Sequence, residues 1–187
     1  MSRHPTIPEV ETLSEESKQL YDVLNNESDL GCVLIVASYI DHALASLLKR
    51  HFVESRAVNK LLESPRGSIS TFASRCDLAY CLGLIPKSFY QNLETLGKIR
   101  NTFAHSYQPL RLADDNIALL VSSLIPPTIQ HTMTVEADNV KHTGPAPMSL
   151  VGSTRERFNA IVVLMFNSLL LTGLATKHRE KKIKGWQ

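Results

Sequence analysis

Cysteines are scarce in this sequence, and those present form no grouping that suits a metal or a disulfide framework. The three cysteines, Cys32, Cys76 and Cys81, leave one unpaired and form no Cys-x-x-Cys motif. Structural zinc sites and disulfide-rich secreted domains depend on such groupings, so the pattern argues against both classes. We therefore expect neither a metal nor another cofactor, and a reducing environment fits the cysteine content best.

Glycine and proline are also few, at 8 and 9 of 187 residues, whereas 43% of the residues are hydrophobic and 20% are charged. Disordered and collagen-like chains have the opposite bias. Because 187 residues is the length of one ordinary domain, the composition predicts a single globular domain with its own core.

The body of the chain lacks an excess of positive charge. The formal net charge is +2, but five Lys or Arg and one Glu in residues 177–187 contribute +4, which leaves −2 for the rest. A broad basic face that coats duplex DNA is therefore excluded, and no helix-turn-helix is recognisable. The basic tail is typical of a solvated, frayed terminus, with RNA phosphates or an acidic partner as the alternative contact.

Signals for export or membrane insertion are weak. Residues 1–5 lead into an acidic stretch and not an apolar one, so we expect no secretory signal and a cytoplasmic protein. Residues 158–176 carry no formal charge and are long enough to span a bilayer. However, Ser168, Thr172 and Thr176 recur at every fourth position, which favours a buried helix with a wetter side over a membrane span.

Helical periodicity dominates the chain, without convincing strand alternation. The clearest helix has Ser28 or Asp29 as its N-cap and runs from Leu30 to about Val53. Its predicted core positions are Leu30, Val33, Leu34, Ala37, Ile40, Leu44, Leu47, Leu48 and Phe52. We expect this helix to be the centre of the fold.

The other segments arrange themselves around that helix. We predict a helical extension over 1–26, a core over 27–125, an irregular connector over 126–154, an apolar helix over 155–179 and a basic tail over 180–187. Within the core, a helix extends from Phe89 to about Ser106. Together these segments predict an all-α, single-domain helical bundle.

The best candidates for chemistry lie at the end of the Phe89 helix. Asn101 and His105 are four residues apart and share a helix edge, and Arg100 precedes them. Arginine is a permanent, multi-donor ligand for phosphate, and histidine titrates near neutral pH. Because RNA carries its own nucleophile in the 2′-hydroxyl, the two can cut it without metal. The alternative is structural: His105 interacts with the helix dipole and Arg100 forms an ion pair.

Asp41 lies on the central helix among small and apolar neighbours at helical spacing. An unpaired carboxylate buried there would cost several kcal/mol, so we predict a structural ion pair. The expected partner is Arg75 or Arg100, and pairing with Arg100 would favour its structural role.

Several blocks of the sequence resemble the bacterial mannitol repressor family. They are residues 27–44, residues 61–68, residues 79–85 and the stretch Ile99-Arg100-Asn101-Thr102-Phe103-Ala104-His105. The resemblance covers about residues 27–125 and implies a regulator of sugar-alcohol operons. Without a helix-turn-helix, such a repressor would act through another protein, such as a component of the transcription machinery, or through RNA.

The block Arg100-Asn101-x-x-x-His105-x-Tyr107 also resembles the signature of the HEPN superfamily. This resemblance implies a homodimer with an up-and-down helical core, whose paired motifs meet in a cleft and cut RNA without metal. Arg100 would bind the scissile phosphate, His105 would act as acid or base, Asn101 would orient them, and Tyr107 would be accessory.

Two hypotheses follow. One is a dimeric, metal-independent endoribonuclease of the toxin or defence type, which an antitoxin can silence. The other is a non-enzymatic operon repressor that acts through protein partners. The sequence slightly favours the enzyme, because the motif is complete, with Arg100, Asn101, His105 and Tyr107 all present.

Overall fold

The computed structural model describes residues 20–126, 135–137, 140–142 and 152–176, and helices dominate it. Residues 20–26 are helical and form α1. The helices that follow are α2 (Asp29–His51), α3 (Arg56–Leu62), α4 (Phe72–Cys81), α5 (Lys87–His105), α6 (Asp115–Ser123) and α7 (Thr154–Ala175). The predicted all-α fold is confirmed.

Two short strands also occur, β1 (Val135–Ala137) and β2 (Val140–His142), and they pair in antiparallel fashion. They lie in the connector, for which the sequence predicted no regular structure. Strands of three residues each are too short for alternation to identify them, because a periodicity of two needs about four to eight residues.

The central position of α2 agrees with the prediction. Ser28 is its N-cap, and the Ser28 hydroxyl accepts a hydrogen bond from the Gly31 N–H at 3.0 Å. The last turn holds Lys49, Arg50 and His51, which suit the negative end of the helix dipole. Helices α3, α4, α5 and α7 all pack against α2, so the core is built around it.

Burial around α2 is less complete than the sequence predicted. Val33, Ile40 and Leu44 are fully buried, but Leu30 and Leu34 are 45% and 39% exposed. Their assignment to the core was wrong. Helical periodicity identifies the apolar positions of a helix but not the number of its sides that other helices cover. An apolar strip of α2 therefore remains open among the described residues.

Helix α7 packs along α2, and its polar residues find partners there. Asn159 is fully buried, accepts from the Cys32 thiol at 3.1 Å and donates to the Asn25 side chain at 2.9 Å. The hydroxyls of Thr172 and Thr176 donate to the carbonyl oxygens four residues earlier, at 2.8 and 2.7 Å. These contacts agree with a buried core helix that has one wetter side.

Helices α2 and α7 are both long and apolar enough to cross a membrane by length and composition alone. This is weak evidence for a membrane protein, because the core helices of globular domains pass the same test. Half of the most apolar window of α7 is already buried against the rest of the chain.

The N-terminus of α2 is joined to two other elements through Asp29. Its carboxylate accepts from the Leu112 N–H at 2.7 Å and is paired with Arg155 at the start of α7. Leu112 lies seven residues after the end of α5, so this contact ties the segment that follows α5 to the beginning of α2. Helices α2 and α5 are also in direct contact.

Candidate functional site

An open groove of about 830 Å³ lies between α2, α4 and α5. The residues of its apolar floor are Leu34, Ala37, Phe72, Leu93, Leu96 and Gly97. Charged and polar side chains line its rims, among them Asp41, Asp77, Glu94, Lys98, Arg100 and Asn101. An apolar floor with a few polar groups at its edges is typical of a binding site.

The groove brings together only two of the four predicted catalytic residues. Arg100 and Asn101 line it, and the Arg100 guanidinium donates to the Asn101 side-chain oxygen at 3.0 Å. His105 is the last residue of α5 and is exposed, and Tyr107 is fully exposed beyond the helix. Neither is among the described residues that line the groove. Asn101 and His105 still share the edge of α5 that their spacing predicted.

Asp41 forms the predicted ion pair, and its partner is Arg75. Arg75 donates to the Asp41 carboxylate at 2.6 Å, to the Leu62 carbonyl oxygen at 2.8 Å and to the Ile69 carbonyl oxygen at 3.2 Å. The side chains of Arg75 and Asp41 are 12% and 29% exposed. Arg75 therefore joins α4 to α2, to the last residue of α3 and to the loop between α3 and α4.

This pairing leaves Arg100 available. Among the described residues, no ion pair includes Arg100, and its guanidinium is exposed at the groove rim. Arg100 therefore does not form the ion pair with Asp41 that a structural role for this arginine would have required. The second oxygen of Asp41, Oδ1, is buried and has no hydrogen-bond partner among the described residues.

Tyr90, which no sequence motif identified, also lines the groove. The Tyr90 hydroxyl donates to Asp77 at 2.8 Å, and this hydrogen bond raises the pKa of Tyr90 to about 12. The ring of Tyr80 stacks on Tyr90 with centroids 4.8 Å apart. Tyr80 precedes Tyr90 in the chain by ten residues, so no local spacing rule would have paired the two rings.

The charges on the rim are separated along the groove. Asp77 and Glu94 lie at the end near the start of α5, whereas Lys98 and Arg100 lie one to two turns further along. The groove is therefore acidic at one end and basic at the other.

Two of the three cysteines are poor nucleophiles at neutral pH. Burial raises the pKa of the Cys76 thiol to about 12 and that of the Cys32 thiol to about 11, so both stay protonated at neutral pH. Within residues 20–126 and 152–176, no cluster of three or more His, Cys, Asp or Glu side chains could hold a metal ion. The third cysteine, Cys81, is exposed.

A family model described as the mannitol repressor matches residues 16–174. The chain belongs to the mannitol repressor family. The resemblance noted in the sequence is confirmed, and the match extends beyond residues 27–125 to take in most of α7. No curated protein sequence matches the chain.

The fold of this mannitol repressor family member is similar to a chain in the X-ray structure of the MtlR–HPr complex from Escherichia coli. The TM-score is 0.56 at 22% sequence identity, and the similarity covers 84% of this chain and 97% of that one. At this identity the likeness supports the fold alone. The HEPN-type roles of Arg100, Asn101, His105 and Tyr107 stay predictions.

Proposed function

We propose that this member of the mannitol repressor family is a non-enzymatic transcriptional regulator that works in the cytoplasm by binding a protein partner. The observation that carries the proposal is the family match over residues 16–174. The similar solved chain was crystallised with the protein HPr, which makes HPr a candidate partner for this chain as well.

The charge distribution supports a protein partner over direct contact with duplex DNA. Residues before the tail sum to −2, since the +4 of residues 177–187 exceeds the net charge of +2. A duplex-binding protein relies on many contacts from Lys and Arg to phosphates. The groove offers instead an apolar floor with charges of both signs, which suits a protein surface.

Titration calorimetry with purified HPr from the same host tests this function. We expect a saturable heat of binding, and His105→Ala should leave the affinity unchanged because a regulator does not need the imidazole. Affinity capture from a native lysate, followed by mass spectrometry, extends the search to transcription-machinery proteins. Absence of HPr binding together with absence of any specifically captured partner would contradict the proposal.

A second candidate function is the metal-independent endoribonuclease. The observation that favours it is the exposed Arg100, hydrogen-bonded to Asn101 on the α5 edge that ends at His105. Such an enzyme would require a homodimer that brings two copies of this edge around one RNA strand, and an antitoxin would bind the same edge.

Incubation with RNA in the presence of a chelator tests the nuclease candidate. Cleavage that leaves 2′,3′-cyclic phosphate ends, and that disappears in His105→Ala, would support it. Light scattering must also give the mass of a dimer. Intact RNA at high protein concentration, or a monomer in solution, rejects this candidate and leaves the regulator.

A further inference from the structure

We propose that the groove between α2, α4 and α5 is the docking site for an amphipathic helix of a partner protein. The helix carries acidic side chains at the end over Lys98 and Arg100, and basic side chains at the end over Asp77 and Glu94. This inference rests on the proposed function, because it assigns the surface through which the regulator binds its partner.

The shape of the groove suits an elongated occupant. Along α5 the lining runs from Tyr90 to Asn101, a distance of about 16 Å at 1.5 Å per residue. A compact ligand could fill its 830 Å³, but the apolar surface continues outside it. Leu34, at the edge of the floor, is 39% exposed, and the surface extends from it to Leu30, one helical turn away on α2 and 45% exposed. A helix about four turns long covers the floor and this extension together.

The floor allows a close approach by the occupant. Gly97 has no side chain, and a Cβ built there would lie 3.5 Å from the Phe72 ring. The floor beside it is apolar, with Leu93 and Leu96 beneath. A helix that docks in such a groove uses apolar residues at positions i, i+3 or i+4, and i+7. Gly97 and the neighbouring Phe72 ring therefore form a part of the floor from which no side chain projects, so the partner helix can approach α5 closely there.

Charge decides the direction of the partner helix. Asp41 is already paired with Arg75. The partner's side chains must therefore match Asp77 and Glu94 at one end and the two cations at the other, since uncompensated charges would lose solvent without gaining a partner. Helices ordinarily carry acidic residues in the first turn and basic residues in the last turn. The N-terminal end of the docked helix therefore lies over Lys98 and Arg100.

A second copy of this chain fits the groove less well. A twofold axis would bring the acidic end of one groove over the basic end of the other, as an isologous contact requires. However, both surfaces would be concave, and two concave surfaces cannot fill each other. The apolar floor around Phe72 and Gly97 would stay uncovered.

Screening a displayed library of helical peptides for binding to the full-length protein tests the proposal. We expect selection of peptides with apolar residues at helical spacing, acidic residues near the N-terminus and basic residues near the C-terminus. Gly97→Leu fills the floor and should weaken the selected peptides at least about tenfold, equivalent to ~1.4 kcal/mol. Gly97→Ala is the matched control, because its Cβ meets Phe72 at ordinary contact distance, and it should retain binding.

Arg100→Glu provides a second variant that does not depend on the packing of the floor. It should weaken the selected peptides and favour synthetic versions in which the charge order is reversed. Circular dichroism verifies that each variant is folded. Equal binding by the wild type, Gly97→Leu and Arg100→Glu would overturn the proposal, as would selection without the expected charge order.

Two further outcomes separate this inference from the proposed function. If Gly97→Leu and Arg100→Glu lose peptide binding but bind HPr as the wild type does, the groove is not the docking face, although the regulator function stands. If the wild type is a dimer that Gly97→Leu dissociates, the occupant is a second copy and the proposal fails. If the wild type binds neither peptides nor any protein partner, both proposals fail.

Discussion

Replacement of Arg75 by alanine removes the cation that joins α4 to α2. Its guanidinium donates to Asp41 at 2.6 Å and to the carbonyl oxygens of Leu62 and Ile69 at 2.8 and 3.2 Å. The Arg75 side chain is 12% exposed and that of Asp41 is 29% exposed. Truncation therefore leaves a carboxylate and two carbonyl oxygens without these donors in a place that water reaches poorly.

The size of the loss follows from the burial of the pair. Removal of one partner of a buried ion pair costs about 3–5 kcal/mol, whereas exposed pairs contribute about 0–1 kcal/mol. The pair lies closer to the buried limit, so we expect Arg75→Ala to lower the free energy of unfolding by about 3 kcal/mol. The double variant Arg75→Met/Asp41→Asn should recover part of this loss, because it leaves no buried charge unpaired.

Urea unfolding followed by circular dichroism measures these free energies, and Arg100→Ala is the matched control. Arg100 is exposed and hydrogen-bonds the neighbouring Asn101, so its truncation should change stability by no more than about 0.5 kcal/mol. Equal losses for Arg75→Ala and Arg100→Ala would refute the reasoning. A larger loss for Arg100→Ala would make Arg100 the structural arginine and remove it from the groove's function.

Three further predictions concern other parts of the fold. A thiol-reactive disulfide reagent should label Cys81 alone among the three cysteines of the native protein, because the other two are buried and their pKa values are raised; fast labelling of a second thiol would contradict this. Ser153→Ala should lower the free energy of unfolding by about 1 kcal/mol in urea titrations, since Ser153 caps α7. The Ser153 backbone N–H and, second, its hydroxyl donate to the Glu156 carboxylate and lower the pKa of Glu156 from its ordinary 4.5. The variant keeps the backbone donor, so the part of the loss that comes from the hydroxyl–carboxylate bond is present at neutral pH and declines as the pH falls below 4.5; a loss that grows as the pH falls would argue against it. Gly97→Ala should raise the free energy of unfolding by up to about 1 kcal/mol, because the new methyl group meets Phe72 at 3.5 Å without a clash; a lower melting temperature would show that the site is already filled.

Local patterns were sufficient to predict the helices. Ser28 was identified as a possible N-cap of α2 from its position before an apolar run, and capping is a contact within one turn. The helix predicted over 89–106 is observed as Lys87–His105, because its periodicity and the proline that follows are properties of neighbouring residues. The short strands β1 and β2 were missed because three residues each are too few for alternation to identify a strand.

The candidate site was predictable only in part. Spacing placed Asn101 and His105 on one edge of α5, and burial of Asp41 called for a cation, but neither argument could choose between Arg75 and Arg100. No sequence pattern predicted the groove, because its existence depends on how α4 and α5 pack against α2. Leu34 was assigned to the core because it lies at a helical spacing from the other apolar residues of α2.

The sequence alone determined the all-α class, the positions of the helices and membership of the mannitol repressor family, because periodicity, capping and family blocks are read along the chain. Only the tertiary structure decided that Arg75 pairs with Asp41, that Arg100 stays at an exposed rim, and that Leu30 and Leu34 lie open to solvent. The physical reason is that ion pairing and burial depend on which helix faces are brought within contact distance. That choice is made by the packing of several distant segments at once.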